Sequence, residues 1–112
     1  SPKHICGTSS SGSAVAVANG MLPFALGSQT AASTIRPAAY NGIYGFKPSF
    51  GVIPRTGILK TLDTLDHVTF FSRSSTDLRT IFDSLRVKGN NSDNDQKIKK
   101  ASGRKRKSQA RA

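Results

Sequence analysis

The sequence predicts an α/β fold followed by a disordered basic tail, and three observations carry that reading. Between residues 14 and 85, short apolar segments rich in aromatic or β-branched side chains alternate with segments that carry helix caps or helical spacing. The 112 residues, 36% of them hydrophobic, are enough for one small domain at most. Charge is unevenly spread: Lys and Arg total 17 against six Asp and no Glu, with a net +4 over residues 1–86 and a net +7 over 87–112. From Gly89 onward Ile98 is the sole large aliphatic or aromatic residue, so residues 1–88 are expected to fold and 89–112 to form the tail.

The first element follows a small, polar run, Gly7 to Ser13, which reads as a loop that exposes its backbone. The Ala-rich stretch Ala14 to Ala18 then predicts a short buried helix, with Ser11 or Ser13 near its N-cap and Gly20 at its C-cap. Pro23 to Leu26 fits a buried strand ending at Gly27, and 27–36 reads as a loop. Pro37 to Tyr40 suits a first helical turn with Pro at N1, stopped by Asn41-Gly42. Ile43 to Lys47 is a second short strand ended by Pro48, and 51–57 reads as irregular surface chain. Leu65 to Phe71 is a third strand. Behind it the Ser74-Ser75-Thr76-Asp77 cap precedes Leu78, Ile81, Phe82 and Leu85, the i, i+3, i+4, i+7 stripe of an amphipathic helix that packs in the core.

Several function classes fall away. A lone Cys6 permits no intramolecular disulfide and no CxxC knuckle; it reads as an inert small residue in a reducing, cytoplasmic setting. The most apolar stretch, Ala14 to Leu26, is interrupted by Asn19, Gly20 and Pro23 and is shorter than the roughly 20 residues a membrane span needs. The chain opens on Ser1-Pro2 without a signal-peptide pattern, and is expected to be a piece of a longer protein.

Chemistry concentrates in two small-residue loops, Gly7 to Ser13 and Gly27 to Pro37, joined by the first helix and strand. Serines at loop apices on a rigid scaffold, flanked by residues small enough for backbone N–H groups to approach an oxyanion, are what acyl transfer requires. These loops, with Ser33-Thr34-Ile35-Arg36-Pro37, Gly45-Phe46-Lys47-Pro48 and the Leu62-Asp63 to Arg73 region, resemble the amidase signature family in order and spacing from about Pro2 to about Lys88.

The resemblance implies a fragment of an α/β fold with a mixed sheet flanked by helices, and a Ser–cis-Ser–Lys triad that hydrolyses small carboxamides without cofactor or metal. It assigns Ser33 as the nucleophile and Ser9, 24 residues earlier, as the relay serine after a cis peptide. The N–H groups of Thr30, Ala31, Ala32 and Ser33 would form the oxyanion hole. The family's lysine lies in an upstream segment that this sequence does not contain, and Lys3 does not match it, so the fragment alone is expected to be inactive. Thr8 and Ala32 stand where the family usually has Gly; a positive φ at Ala32 would strain the oxyanion loop.

Other readings of the same residues are weaker. A Ser33–His67–Asp63 triad needs His67 at a loop apex, and it sits in a strand instead. Lys47 and Arg36 read as structural, binding backbone or forming ion pairs, rather than as substrate anchors. The tail, with Lys97, Lys99, Lys100 and Arg104 to Lys107, offers the alternative of a basic binding module that contacts nucleic-acid phosphates; it holds no stacking aromatic for base readout. Cut from a larger sheet, the chain is expected to expose Phe24, Ile43, Phe46 and Phe70.

Overall fold

The computed structural model describes residues 3–88, so the predicted tail and the end of the chain lie outside the described residues. Six elements follow in order: α1 (Ser11–Ala18), β1 (Phe24–Gln29), α2 (Ile35–Asn41), β2 (Tyr44–Phe46), β3 (His67–Ser72) and α3 (Ser75–Leu85). The last strand in sequence is central in space: the sheet order is β1-β3-β2, and both ladders are antiparallel. Leu26 and Phe46 flank Phe70 from either side, and Ala25 and Gly45 flank Phe71.

Because successive strand residues point to opposite faces, β3 fills two cores at once. Phe71 packs with Ala14, Val17, Ala25, Ala38 and Ile43, under α1 and α2. Phe70 and Val68 pack with Ile53, Leu78, Phe46, Ile81 and Phe82, under α3. Phe70 and Phe71 are both 0% exposed, and each such side chain contributes on the order of 1.5–3 kcal/mol by leaving water. Expected exposure at Phe70 is therefore wrong, since α3 and Phe46 cover it; Ile43 and Phe46 are half-buried, and Phe24, on the edge strand, is exposed.

Of the three described helices, α3 follows a side-chain cap. Ser74 Oγ accepts from Asp77 N at 3.1 Å and starts α3. The stripe is buried at Leu78, half-buried at Ile81 and Phe82, and exposed at Leu85. Phe82 meets Phe46 edge to face at 5.4 Å. The end of α1 is closed by Arg73, which donates to Val17 O at 2.7 Å and Leu22 O at 2.8 Å.

Several boundaries differ from the sequence reading; helix α2, expected to open with Pro37, starts at Ile35 after Thr34, which makes Pro37 its third residue. β1 continues through Gly27 and Ser28 to Gln29, residues expected to be loop, because β3 offers a ladder partner for each. Gly27 fits because a Cβ there would stand 2.8 Å from the Phe71 ring. Helix α1 begins at Ser11 with Ser10 as N-cap, yet neither Ser10 nor Ser13 caps it through its side chain. Ser13 Oγ donates to Leu26 O at 2.8 Å and Ser10 Oγ to Ser28 O at 3.2 Å, while Ser28 N donates to Ser10 Oγ at 3.4 Å. Backbone groups of the edge strand β1 thereby find partners in the loop and first turn of α1.

Candidate active site

Both predicted serines lie in the turns that lead into helices on one face of the sheet. Ser9, exposed, stands in the loop before α1; Ser33, half-buried, stands in the turn between β1 and α2. Three contacts hold these segments together. Ser10 is bonded to Ser28 as described, and Asn41 Nδ2 donates to Cys6 O at 2.9 Å. Gly7, at φ 105, lies so close to the buried Pro37 that a Cβ on it would come within 2.7 Å of Pro37 Cβ. Every peptide bond among the described residues is trans, so the cis bond expected before Ser9 is not present. Such a bond costs about 3–4 kcal/mol without proline and needs surroundings that over-determine it; no group among the described residues bonds the Ser9 hydroxyl.

The turn from Thr30 to Ser33 is anchored at both ends. At its start Thr30 Oγ1 donates to Asp66 Oδ1, and Lys47 Nζ donates to Thr30 O at 3.2 Å. At its end Gln29 Oε1 accepts from Thr34 N at 2.8 Å and Ile35 N at 2.9 Å, occupying the first donors of α2. Beneath, the Thr34 and Thr69 hydroxyls bond at 2.5 Å. Among the described residues nothing accepts from the N–H groups of Ala31, Ala32 or Ser33. No non-glycine residue among them lies in the left-handed region, so Ala32 stands without the strain its Cβ was expected to cause.

Asp66 and Gln29 were not singled out in the sequence. Asp66 is 8% exposed, and its other oxygen accepts from Thr61 N at 2.6 Å and Leu62 N at 2.8 Å. The Thr30 hydroxyl first, then these amides and the Arg55 charge, hold its carboxyl below the ordinary value of 3.8 against the opposing effect of burial. Its signal in the sequence was slight: one Asp at a strand entrance.

The alternative triad is not assembled. His67 Nδ1 lies 2.6 Å from Leu65 O and its ring meets Phe50 at 5.3 Å, while Asp63 pairs with Lys60 at 3.1 Å and Arg55 at 3.5 Å. Lys47 binds backbone, as read, and Arg36 is exposed. Among the described residues no helix is long and apolar enough to cross a membrane, and no three His, Cys, Asp or Glu gather to hold a metal ion.

The sequence that builds these two serine loops matches a known pattern: the Amidase family model fits residues 1–111. The chain belongs to the amidase family. The match runs past Lys88, where the motifs read from the sequence end. This amidase-family chain is 48% identical over 80 residues to a mitochondrial glutamyl-tRNA(Gln) amidotransferase subunit of Podospora anserina, covering 71% of itself and 16% of that protein. It is 46% identical over 81 residues to the corresponding subunit of Mycoplasma pneumoniae, covering 72% of itself and 17% of the relative. A crystal structure of an amidase superposes with TM-score 0.74 at 40% identity, covering 76% of this chain and 20% of that one. An amidase family protein from Bacillus anthracis superposes with TM-score 0.69 at 37% identity, covering 75% and 16%. The chain thus spans about a sixth of the length of the curated relatives it matches.

Proposed function

We propose that this segment supplies the nucleophile turn and relay serine of an enzyme that hydrolyses a small carboxamide to a carboxylate and ammonia or an amine. Ser33 Oγ attacks the carbonyl carbon; its proton passes to Ser9, and the Ser9 proton passes to a lysine contributed from outside this segment. The lysine returns a proton to the departing amine, leaving an acyl ester on Ser33. Water, deprotonated along the same route, cleaves that ester and restores Ser33. The developing oxyanion would be met by the N–H groups of Thr30, Ala31, Ala32 and Ser33.

One observation carries the reading: the N–H groups of Ala31, Ala32 and Ser33 have no acceptor among the described residues although the turn is anchored at both ends. Fixed donors aimed at no partner suit a charge that appears only during reaction. In this reading residues 1–88 are the amidase part, the segment alone is inactive, the setting is cytoplasmic, and the small-molecule amide is the partner of the site. Relatives named as glutamyl-tRNA(Gln) amidotransferase subunits favour a second form, in which the released ammonia is passed to an acceptor rather than lost.

A fluorophosphonate probe applied to the full-length protein carrying this segment tests the assignment. Labelling is expected at Ser33 and is expected to vanish in Ser33→Ala. Labelling at Ser10, Ser11 or Ser13, or full amide turnover by Ser33→Ala, would overturn it.

A further inference from the structure

We propose that Asp66 is a positioning residue for the nucleophile turn, acting through the Thr30 hydroxyl to fix where the N–H groups of residues 30–33 point. The inference rests on the nucleophile role proposed for Ser33 and goes beyond it.

Asp66 sits at the entrance of β3, where the chain from the surface segment 58–65 joins the sheet. Its carboxylate is buried yet forms no ion pair among the described residues. Arg55, the nearest guanidinium, donates instead to the Asp66 carbonyl at 3.1 Å and pairs with Asp63. Three neutral donors therefore share the buried charge: Thr61 N and Leu62 N on one oxygen, Thr30 Oγ1 on the other. Hydrogen bonds to an ionised acceptor are shorter and roughly twice as strong as neutral ones, so this contact is a stiff one. It is also long in sequence, joining residues 36 apart.

Thr30 is where the chain leaves β1, and Ala31, Ala32 and Ser33 follow with small side chains and no bonds from their own N–H groups among the described residues. Such a stretch takes its shape from its ends. The far end is held by Gln29 and Thr69, on the sheet itself. The near end is held by Asp66 and, at the carbonyl, by Lys47. Loss of the Thr30 hydroxyl would leave the near end on Lys47 alone, while the Thr61 and Leu62 bonds to Asp66 remain. An oxyanion donor must come within about 2.7–3.1 Å of the charge, and a misplacement of about 1 Å costs roughly a hundredfold. The effect belongs to the transition state and not to ground-state binding.

The test uses the full-length protein and a carboxamide substrate, with kcat and KM measured separately. Thr30→Val is expected to lower kcat by at least about tenfold with KM within about threefold, and Thr30→Ser, which keeps the hydroxyl, to restore kcat to within about threefold. Asp66→Asn should lower kcat in the same way, and Thr30→Val in that background should add little. A Thr30→Val enzyme with kcat near wild type, a rise in KM alone, or a Thr30→Ser enzyme as impaired as Thr30→Val would each overturn the proposal. If Thr30→Val does not fold, the Asp66→Asn and Thr30→Ser pair decides it by the same criteria. A wild-type protein that neither turns over carboxamides nor is labelled at Ser33 would remove the nucleophile reading and this inference together. A labelled wild type with an unaffected Thr30→Val removes only this inference.

Discussion

The hydroxyls of Thr34 and Thr69 meet at 2.5 Å, with both residues 0% exposed. Through this pair the turn that carries Ser33 is fastened to the central strand. Thr69 also faces Gly27, where a Cβ would stand 3.1 Å from its hydroxyl, so strand, turn and edge strand share one polar contact inside an apolar layer. Buried polar groups are costly when unpaired and modestly stabilising when paired, which makes this a site where single substitutions and double substitutions differ in a diagnostic way.

Thr69→Val removes one partner and leaves the Thr34 hydroxyl with only its 3.4 Å contact to Ser28 O. A loss of about 1–2 kcal/mol is expected in full-length protein. Adding Thr34→Val should bring back part of that loss, since no unpaired hydroxyl remains. Thermal unfolding of the two variants side by side checks the sign; a double variant worse than the sum of the singles would mean that the pair is not an isolated contact.

Gly27→Ala places a methyl against the Phe71 ring, the Ser10 hydroxyl and the Thr69 hydroxyl at 2.8, 3.1 and 3.1 Å. Overpacking of this kind costs about 1–3 kcal/mol. The change also bears on Ser10, so amide exchange at Ser28 N is expected to quicken. Unchanged stability would show that β1 shifts freely against β3.

The depressed carboxyl of Asp66 predicts an acid-sensitive turn. Its folded value lies below the ordinary 3.8, so its contribution is present in full above that pH and is lost as pH falls through the folded value. Protection of Thr61 N and Leu62 N against exchange should weaken on acidification below about 3.8, and Asp66→Asn should remove that pH dependence. Protection that is flat with pH in the wild type would mean that the carboxylate does not hold the loop.

Catalytic variants should behave as a unit. In the full-length protein Ser9→Ala is expected to cut turnover by orders of magnitude, and Ser9→Ala with Ser33→Ala to be little worse than Ser33→Ala alone. The 112-residue chain alone, assayed with the same carboxamide, should show no turnover. Ala32 has ordinary φ, so Ala32→Gly should change the rate little; a large gain would mean that its methyl obstructs the turn.

The sequence by itself determined the order of helices and strands, the α3 cap at Ser74, the core role of Leu78, and the two serine loops with their family. These are local signals: a capping side chain bonds within three residues, and a helical stripe repeats within two turns. Membership in the amidase family was legible for the same reason, since its motifs are contiguous runs. What the sequence did not reveal was contact across distance. That β1 runs on through Gln29 depends on β3, nearly forty residues later, offering a ladder partner. Ser13 reads as a helix cap until the edge of β1 takes its hydroxyl. Phe70 reads as a strand residue left uncovered until α3 folds over it. Asp66, one of six aspartates, is distinguished by burial and by the Thr30 hydroxyl, which comes from 36 residues away; the two amides that also reach it lie only four and five residues before it. Tertiary structure decides such things because a hydrogen bond or a buried surface depends on where two segments meet, and that meeting is set by the packing of the whole.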